Sequence, residues 1–508
     1  MRRRTLILLG FVILKFVIQY LLVNPAYELH RDEYLYLDHA NHLAWGYVSI
    51  PPFNSWVAFL VQTMGNNEFW VRFFPALFGA LTIVVVWKAI EALSGRLFAM
   101  VLGATCVLFS VLLRLNILFQ PNAFDVLCWV MVYYFLLRYF KDNQSKWLIY
   151  TAVVCGLGFL NKYNIVFCVL GLLPAILITQ QRKMFTQKTL YYALLIGLII
   201  ILPNLLWQYQ NDFPVVHHMK VLTETQLVHV NRMDFLKTQI LFFIGSMFVI
   251  LCGLFALGFY KPFKRYRPFL WSLFFTLLIF MYFKAKDYYA IGLYPIYIAF
   301  GSVFLDRFLN EGWSRYLRPL AVVTPIVAFF PISKIMFPNK SPEYIKAHPE
   351  KYMEYGLLRW EDGRNHELPQ DFADMLGWSE LAQKVDALYR SLPNKDETMV
   401  LCDNYGQAGA INYYTKEGIK AVSFNADYIN WFDLNKHYSN FIRIKEYNED
   451  DEDELAITSP YFETGRLADS IANPDAREYR TRIFLFKGAK IDISKRIAEE
   501  IITVKNAP

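Results

Sequence analysis

Residues 5–23 read TLILLGFVILKFVIQYLLV, directly after Arg2-Arg3-Arg4. The stretch is close to the ~20 apolar residues that carry a helix across a bilayer. It is too long for a signal-peptide core and lacks a small-residue cleavage site, so it reads as an anchor. Working outward, similar runs recur at about 72–92, 97–115, 122–140, 145–161, 163–179, 189–209, 235–260, 268–284, 288–305 and 319–337, roughly eleven in all. The 508 residues are 55% hydrophobic and only 19% charged, which excludes disorder and argues against an ordinary soluble enzyme. Of the six cysteines, five lie in apolar runs and only Cys402 in the polar C-terminal part, so no disulfide framework or zinc spacing appears.

The net charge of +7 is mostly a topology signal. With the N-terminal arginines inside, alternate loops carry Arg96, then Lys141 and Lys146, then Arg182, Lys183 and Lys188. Lys261, Lys264, Arg265 and Arg267 follow, and lastly Arg307, Arg315 and Arg318. The charge rule holds only if 145–179 is two spans broken at Asn161-Lys162-Tyr163-Asn164. One long helix there would put 261–267 outside. An odd number of crossings then places the C-terminal part on the extracytoplasmic side.

From about residue 340 no run reaches spanning length. The periodicity predicts a helix over 374–392 and another over 406–414, with strands at 398–402, 421–424 and 480–486. This pattern implies a small α/β domain. The chain therefore divides into a membrane domain, 1–340, with a first external loop at about 24–71, and an extracytoplasmic α/β domain, 341–508. The acidic run 448–454 (NEDDEDE) reads as a solvated loop. No GxGxxG, Walker motif or repeat is present.

The first loop is long for neighbouring membrane helices, a feature more often functional than not. It holds Tyr27-Glu28-Leu29-His30-Arg31-Asp32-Glu33-Tyr34-Leu35-Tyr36, then Leu43-Ala44-Trp45-Gly46-Tyr47 and Ile50-Pro51-Pro52-Phe53. Taken alone, Asp32 and Glu33 also fit an acidic pair favouring the N-terminus of the helix that follows.

Asp32-Glu33-x-x-Tyr36, followed by Leu-x-x-Gly-Tyr and Pro-Pro, resembles the first external loop of GT-C glycosyltransferases. The similar group includes protein O-mannosyltransferases and the transferase that adds aminoarabinose to lipid A. The likeness continues in residues 72–81 (RFFPALFGAL), in Asp125 of QPNAFDVLCW, and in the Gly-Leu-x-x-Leu-x-Lys element ending at Lys162. It covers roughly residues 1–300, each motif weak alone and their order fairly specific.

The resemblance implies an integral-membrane enzyme that transfers a sugar, with inversion, from a polyprenyl-phosphate donor to an acceptor hydroxyl on the outer membrane face. The acceptor class (protein, lipid A, glycan or another lipid) stays open. Asp32 is then the general base, with Glu33 orienting the acceptor or holding Asp32. Such a base typically contributes about 10²–10⁴ in rate. Arg72, Lys162 and Lys286 are the implied phosphate-binding cations, although basic residues at span ends also snorkel to headgroups. Tyr36, Asp125, Tyr288 and His217 are supporting residues; His217 belongs to the external loop 210–232, a candidate substrate cover. Asp287 also fits a partner for Lys286.

His30, His39, His42, His217, His218 and His229 are expected outside, and His39 and His42 could share a helix face beside Asp38. Simple hydrogen bonding explains such imidazoles equally, and no ligand set is assigned. A divalent ion, Mg²⁺ or Mn²⁺, is the cofactor reading left open by carboxylates near phosphate. A transporter or flippase is the alternative function, since many spans with polar groups also fit one. A membrane receptor with an α/β ligand-binding domain is a third.

Overall fold

The computed structural model describes residues 2–225, 227, 230–448 and 453–506. These form two compact units: residues 1–22, 44–57 and 64–337, and residues 23–43, 58–63 and 338–508.

The first unit is helical. Five helices are long and apolar enough to cross a membrane: Arg2–Leu21, Glu68–Ala92, Asn122–Asp142, Lys188–Gln210 and Gly312–Ser333. Three bent pairs raise the number to eight when each is one span, among them Ile165–Leu177 with Gln180–Thr186, turned by 109°. Helices are the expected form here, because lipid leaves backbone groups no partner outside their own segment. Each of the eleven expected segments contains a helix, though several are short. Leu97–Leu108, with 12 residues, rises about 18 Å against a hydrocarbon core of about 30 Å.

Residues 145–179 are two helices, Lys146–Asn161 and Ile165–Leu177, separated where Lys162 turns extended (φ −158°, ψ 129°). The helices Met247–Phe259 and Pro295–Phe308 meet backbone to backbone. A side chain at Gly253 or Gly301 would strike the other helix's carbonyls at Tyr297 or Val249. Small residues permit that approach where apolar burial alone gives little drive.

The second unit carries a five-stranded sheet in the order β2-β1-β3-β5-β4. β1 (Thr398–Cys402) pairs in parallel with β2 (Ala421–Ser423) and β3 (Asn440–Lys445). β5 (Arg482–Ala489) runs antiparallel to β3 and to β4 (Phe462–Ser470). The helices Trp378–Arg390 and Tyr405–Tyr414 fall where the periodicity places them. β3, β4 and the helix Ile493–Asn506 do not appear in the sequence reading. β4 is an edge strand, largely exposed after Phe462, so it lacks the alternation that marks a half-buried strand. Of the acidic run, residues 449–452 lie outside the described residues.

Residues 23–43, which the sequence reading places in the membrane domain, pack within the second unit. The Glu28 carboxylate accepts the Trp378 N–H at 2.7 Å and the Ser379 N–H at 3.2 Å, at the N-terminus of Trp378–Arg390. Asp38 accepts from the Asn412 amide at 2.7 Å and the Tyr428 hydroxyl at 2.8 Å.

Candidate active site

In the second unit, the helix Arg31–Asp38 begins with a capping box. The His30 Nδ1 accepts the Asp32 N–H at 3.2 Å, and the Glu33 carboxylate reaches back to the His30 N–H at 2.7 Å. A helix start leaves backbone N–H groups without internal partners, and this motif satisfies two of them. Glu33 is consequently buried, 1% exposed. Asp32 is different: its side chain is 32% exposed, and its Oδ1 accepts the Tyr405 hydroxyl at 2.7 Å. Burial, and then the Asp32 charge, push the Tyr405 phenol up, so it stays a proton donor in that bond. The Arg31 guanidinium lies 4.6 Å over the Tyr405 ring. Tyr36 is half-buried and one turn beyond Asp32 on the same helix face.

Behind this turn, His30 Nε2 is 3.7 Å from Asp374, whose carboxylate also takes Arg477 at 3.2 Å. Burial raises the Asp374 carboxyl despite His30, Arg477 and Arg31. His30, Asp371 and Asp374 each offer a metal-ligating atom, all within 4.8 Å of one another, the one such trio among the described residues. One imidazole and two carboxylates suit a divalent ion by type. Against it, Arg477 already places positive charge on Asp374.

The other histidines have separate partners. His39 Nε2 meets Asp427 at 3.0 Å, and His42 stacks 4.1 Å from the Trp431 ring. The shared metal face suggested for His39, His42 and Asp38 therefore corresponds to hydrogen bonding and ring packing. His217 is exposed on the helix Pro214–Thr225; His229 lies outside the described residues, as do 226 and 228 of the same loop.

In the first unit, the break between Lys146–Asn161 and Ile165–Leu177 is stitched to the start of Asn122–Asp142. The Asn161 amide donates to the Pro121 carbonyl at 2.8 Å, and the Asn164 amide to Asp125 Oδ2 at 2.8 Å. The Lys162 ammonium donates to Asn122 Oδ1 at 2.7 Å, 4.2 Å from the Tyr289 ring centre and 5.1 Å from that of Tyr288. Asp125 also accepts the Trp129 indole N–H at 3.2 Å. Asn164 links the group onward by donating to the Tyr289 carbonyl at 3.0 Å.

The structure thus brings together Lys162, Asp125 and Tyr288, and adds Asn122, Asn164 and Tyr289. Lys286 directly precedes the short helix Asp287–Leu293 that carries Tyr288, while Asp287 accepts the Tyr288 N–H at 2.8 Å. Arg72 is 3.4 Å from Glu68, one turn earlier on its own helix. The sequence singles out neither Tyr405 nor Asn122, whereas Tyr289 belongs to the element Lys286-Asp287-Tyr288-Tyr289 that resembles a site-facing feature of the family.

Residues 49–207 match the family described as dolichyl-phosphate-mannose-protein mannosyltransferase. A lipid A galacturonosyltransferase, RgtD of Rhizobium johnstonii, is 26% identical over 352 residues, 67% of this chain and 72% of that protein. The structure of ArnT from Cupriavidus metallidurans bound to undecaprenyl phosphate superposes with a TM-score of 0.61 at 14% identity, covering 94% of this chain and 97% of ArnT. Apo ArnT gives 0.60 at 15% identity, covering 95% and 98%. The chain has a GT-C glycosyltransferase fold.

Proposed function

We propose that this chain, a membrane glycosyltransferase of GT-C fold, moves a sugar from a polyprenyl-phosphate donor to a hydroxyl of a lipid A-like glycolipid at the outer face of the cytoplasmic membrane. The choice of acceptor rests on the similarity to a lipid A galacturonosyltransferase. The observation that carries the chemistry is Asp32: an accessible carboxylate, oriented by Tyr405, on a helix turn whose other acid is used up as a cap.

Asp32 takes the proton from the acceptor hydroxyl as that oxygen bonds to the anomeric carbon. The carbon–oxygen bond to phosphate breaks, polyprenyl phosphate leaves with the electron pair, and the configuration inverts. A positioned base of this kind supplies about 10²–10⁴ in rate. Lys162, with Lys286 and Arg72 as further cations, stabilises the departing phosphate, with Asp125 and Tyr288 supporting Lys162; Tyr36 and His217 are assigned to acceptor contact. The N-terminus is cytoplasmic and the chain crosses an odd number of times, which the Lys/Arg asymmetry supports. Were a divalent ion to bind, His30, Asp371 and Asp374 would hold it, in competition with Arg477 for Asp374; no step of the transfer is assigned to it.

The test is transfer of radiolabelled sugar from polyprenyl phosphate to lipid A by the purified protein in detergent. We expect transfer by the wild type and a loss of about 10²–10⁴ in Asp32→Asn, with the protein still folded. Undiminished transfer by Asp32→Asn would remove the mechanism. Transfer only to a protein or to another glycan would replace the acceptor.

A further inference from the structure

In the first unit, a cavity of about 220 Å³ opens where the end of Ile165–Leu177 meets the start of Arg267–Tyr282. It is lined by Lys264, Arg265, Arg267, Gln181 and Trp271, and no aspartate or glutamate contributes to it. The two segments that build it, Gln180–Thr186 and residues 261–267, hold six cations and no acidic residue. Three features separate this place from a loop that is merely basic.

The first is shape. Gln180–Thr186 turns by 109° from the preceding helix, so it lies across the helix end as a ledge rather than extending it. Gln181 ties the ledge to the facing segment by donating to the Arg265 carbonyl at 3.0 Å. The second is pre-organisation of the cations. Arg265 donates to the Lys141 carbonyl at 3.1 Å and Arg267 to the Gly258 carbonyl at 2.9 Å. Each guanidinium is braced on backbone by one arm, with further donors left over. Lys264 is exposed and makes no ion pair among the described residues. The third is what lies beside the charge. Trp271, Phe274 and Leu278 form an exposed apolar stripe along Arg267–Tyr282, at the spacing of one helix face.

A phosphate group fits three cations without a carboxylate, and arginine's fork of donors matches its oxygens. An apolar stripe running from the same pocket fits acyl chains, and Trp271 has the amphipathic ring that settles at a headgroup boundary. We propose that this cavity is a binding site for the headgroup of an anionic phospholipid, such as phosphatidylglycerol or cardiolipin, with its chains lying on Trp271, Phe274 and Leu278. The site is distinct from the donor-phosphate residues assigned above, and its occupant is a lipid that does not react. Basic pockets at helix ends are a recognised means of holding such lipids.

The test uses the full-length protein in detergent, with native mass spectrometry reading bound lipid during titration with phosphatidylglycerol, cardiolipin or phosphatidylcholine of matched chains. We expect the anionic lipids to be retained and phosphatidylcholine not. Lys264→Gln should weaken phosphatidylglycerol about fivefold, the worth of one cation near a lipid surface, and Arg267→Gln at least as much. Lys264 braces nothing, so its loss should leave the fold intact. Lys188→Gln removes the same charge from the neighbouring helix and should change binding little. Equal weakening by Lys188→Gln and Lys264→Gln would reduce the effect to general charge and overturn the site. So would equal retention of phosphatidylcholine. Displacement of the lipid by inorganic phosphate at matched concentration would mean a simple anion site and overturn the lipid assignment.

Discussion

The Tyr405 hydroxyl donates to Asp32 Oδ1 at 2.7 Å across 373 residues of sequence. The bond fixes Oδ1, while Oδ2 lies 4.0 Å from His30 Nδ1. A hydrogen bond to a charged group is worth about 1.5–3 kcal/mol. In Tyr405→Phe we expect kcat to fall about tenfold or more while the donor KM is unchanged, since an unheld carboxylate is misplaced but still basic. A purely structural Tyr405 would instead lower the melting temperature with kcat per folded enzyme intact.

Glu33 is expected to matter for its bond to the His30 N–H rather than for proton transfer. Glutamine fills the same place in a capping box, so Glu33→Gln should keep most activity. Glu33→Ala should cost about 0.5–2 kcal/mol of stability, as lost caps do. A large activity loss in a well-folded Glu33→Gln protein would make Glu33 the base.

Lys162 is placed by Asn122 and by the faces of Tyr288 and Tyr289. Lys162→Gln should raise the donor KM about tenfold or more, because a phosphate contact is lost. Tyr289→Phe keeps the ring and should behave like the wild type. Tyr289→Leu should cost about 0.5–2 kcal/mol of cation placement. Normal donor use in Lys162→Gln would remove the phosphate assignment.

Asp374 predicts a pH effect with a definite sign. Burial raises its carboxyl above the ordinary value of about 3.9. The native state therefore holds this proton more tightly than the unfolded chain. Its contribution to stability is fully present below about pH 3.9 and is lost as pH rises through the native value. The melting temperature of Asp374→Asn minus that of the wild type should grow more positive from about pH 3.5 to 7. A constant or falling difference would show that Arg477 and His30 outweigh burial.

Orientation is open to cysteine labelling in a cysteine-free background. Asn211→Cys and Asn394→Cys should react with an impermeant thiol reagent from outside, and Lys261→Cys should not. Phe263 is buried and would stay silent on either side, so it is no probe. Labelling at Lys261 alone would invert the orientation.

Much of the membrane unit was legible because lipid imposes one rule on the backbone. Apolar runs must be helical, and each expected segment holds a helix. The break at Lys162 was legible for the same reason, since three polar residues and a charge do not continue an apolar helix. β1 and β2 could be read as short apolar runs, buried along their whole length, and the helix before β1 from its burial at helical spacing. The edge strand β4 could not, because one edge bonds to β5 and most of its side chains meet water.

The candidate site divides in the same way. The residues alone show Asp32 and Glu33 as an acidic pair at a helix start, and only the family resemblance makes Asp32 the base and Glu33 its helper. The tertiary structure supplies their partners: the helix start at His30 claims Glu33 for an orphaned N–H, whereas Asp32 projects to a tyrosine supplied by Tyr405–Tyr414. Likewise, the motif marked Lys162, but Asn122 and Tyr289 reach it from other segments of the chain. Local patterns record what each segment must bury and how it must satisfy its own backbone. Partners hundreds of residues apart leave no periodic trace, and packing alone brings them within hydrogen-bond reach.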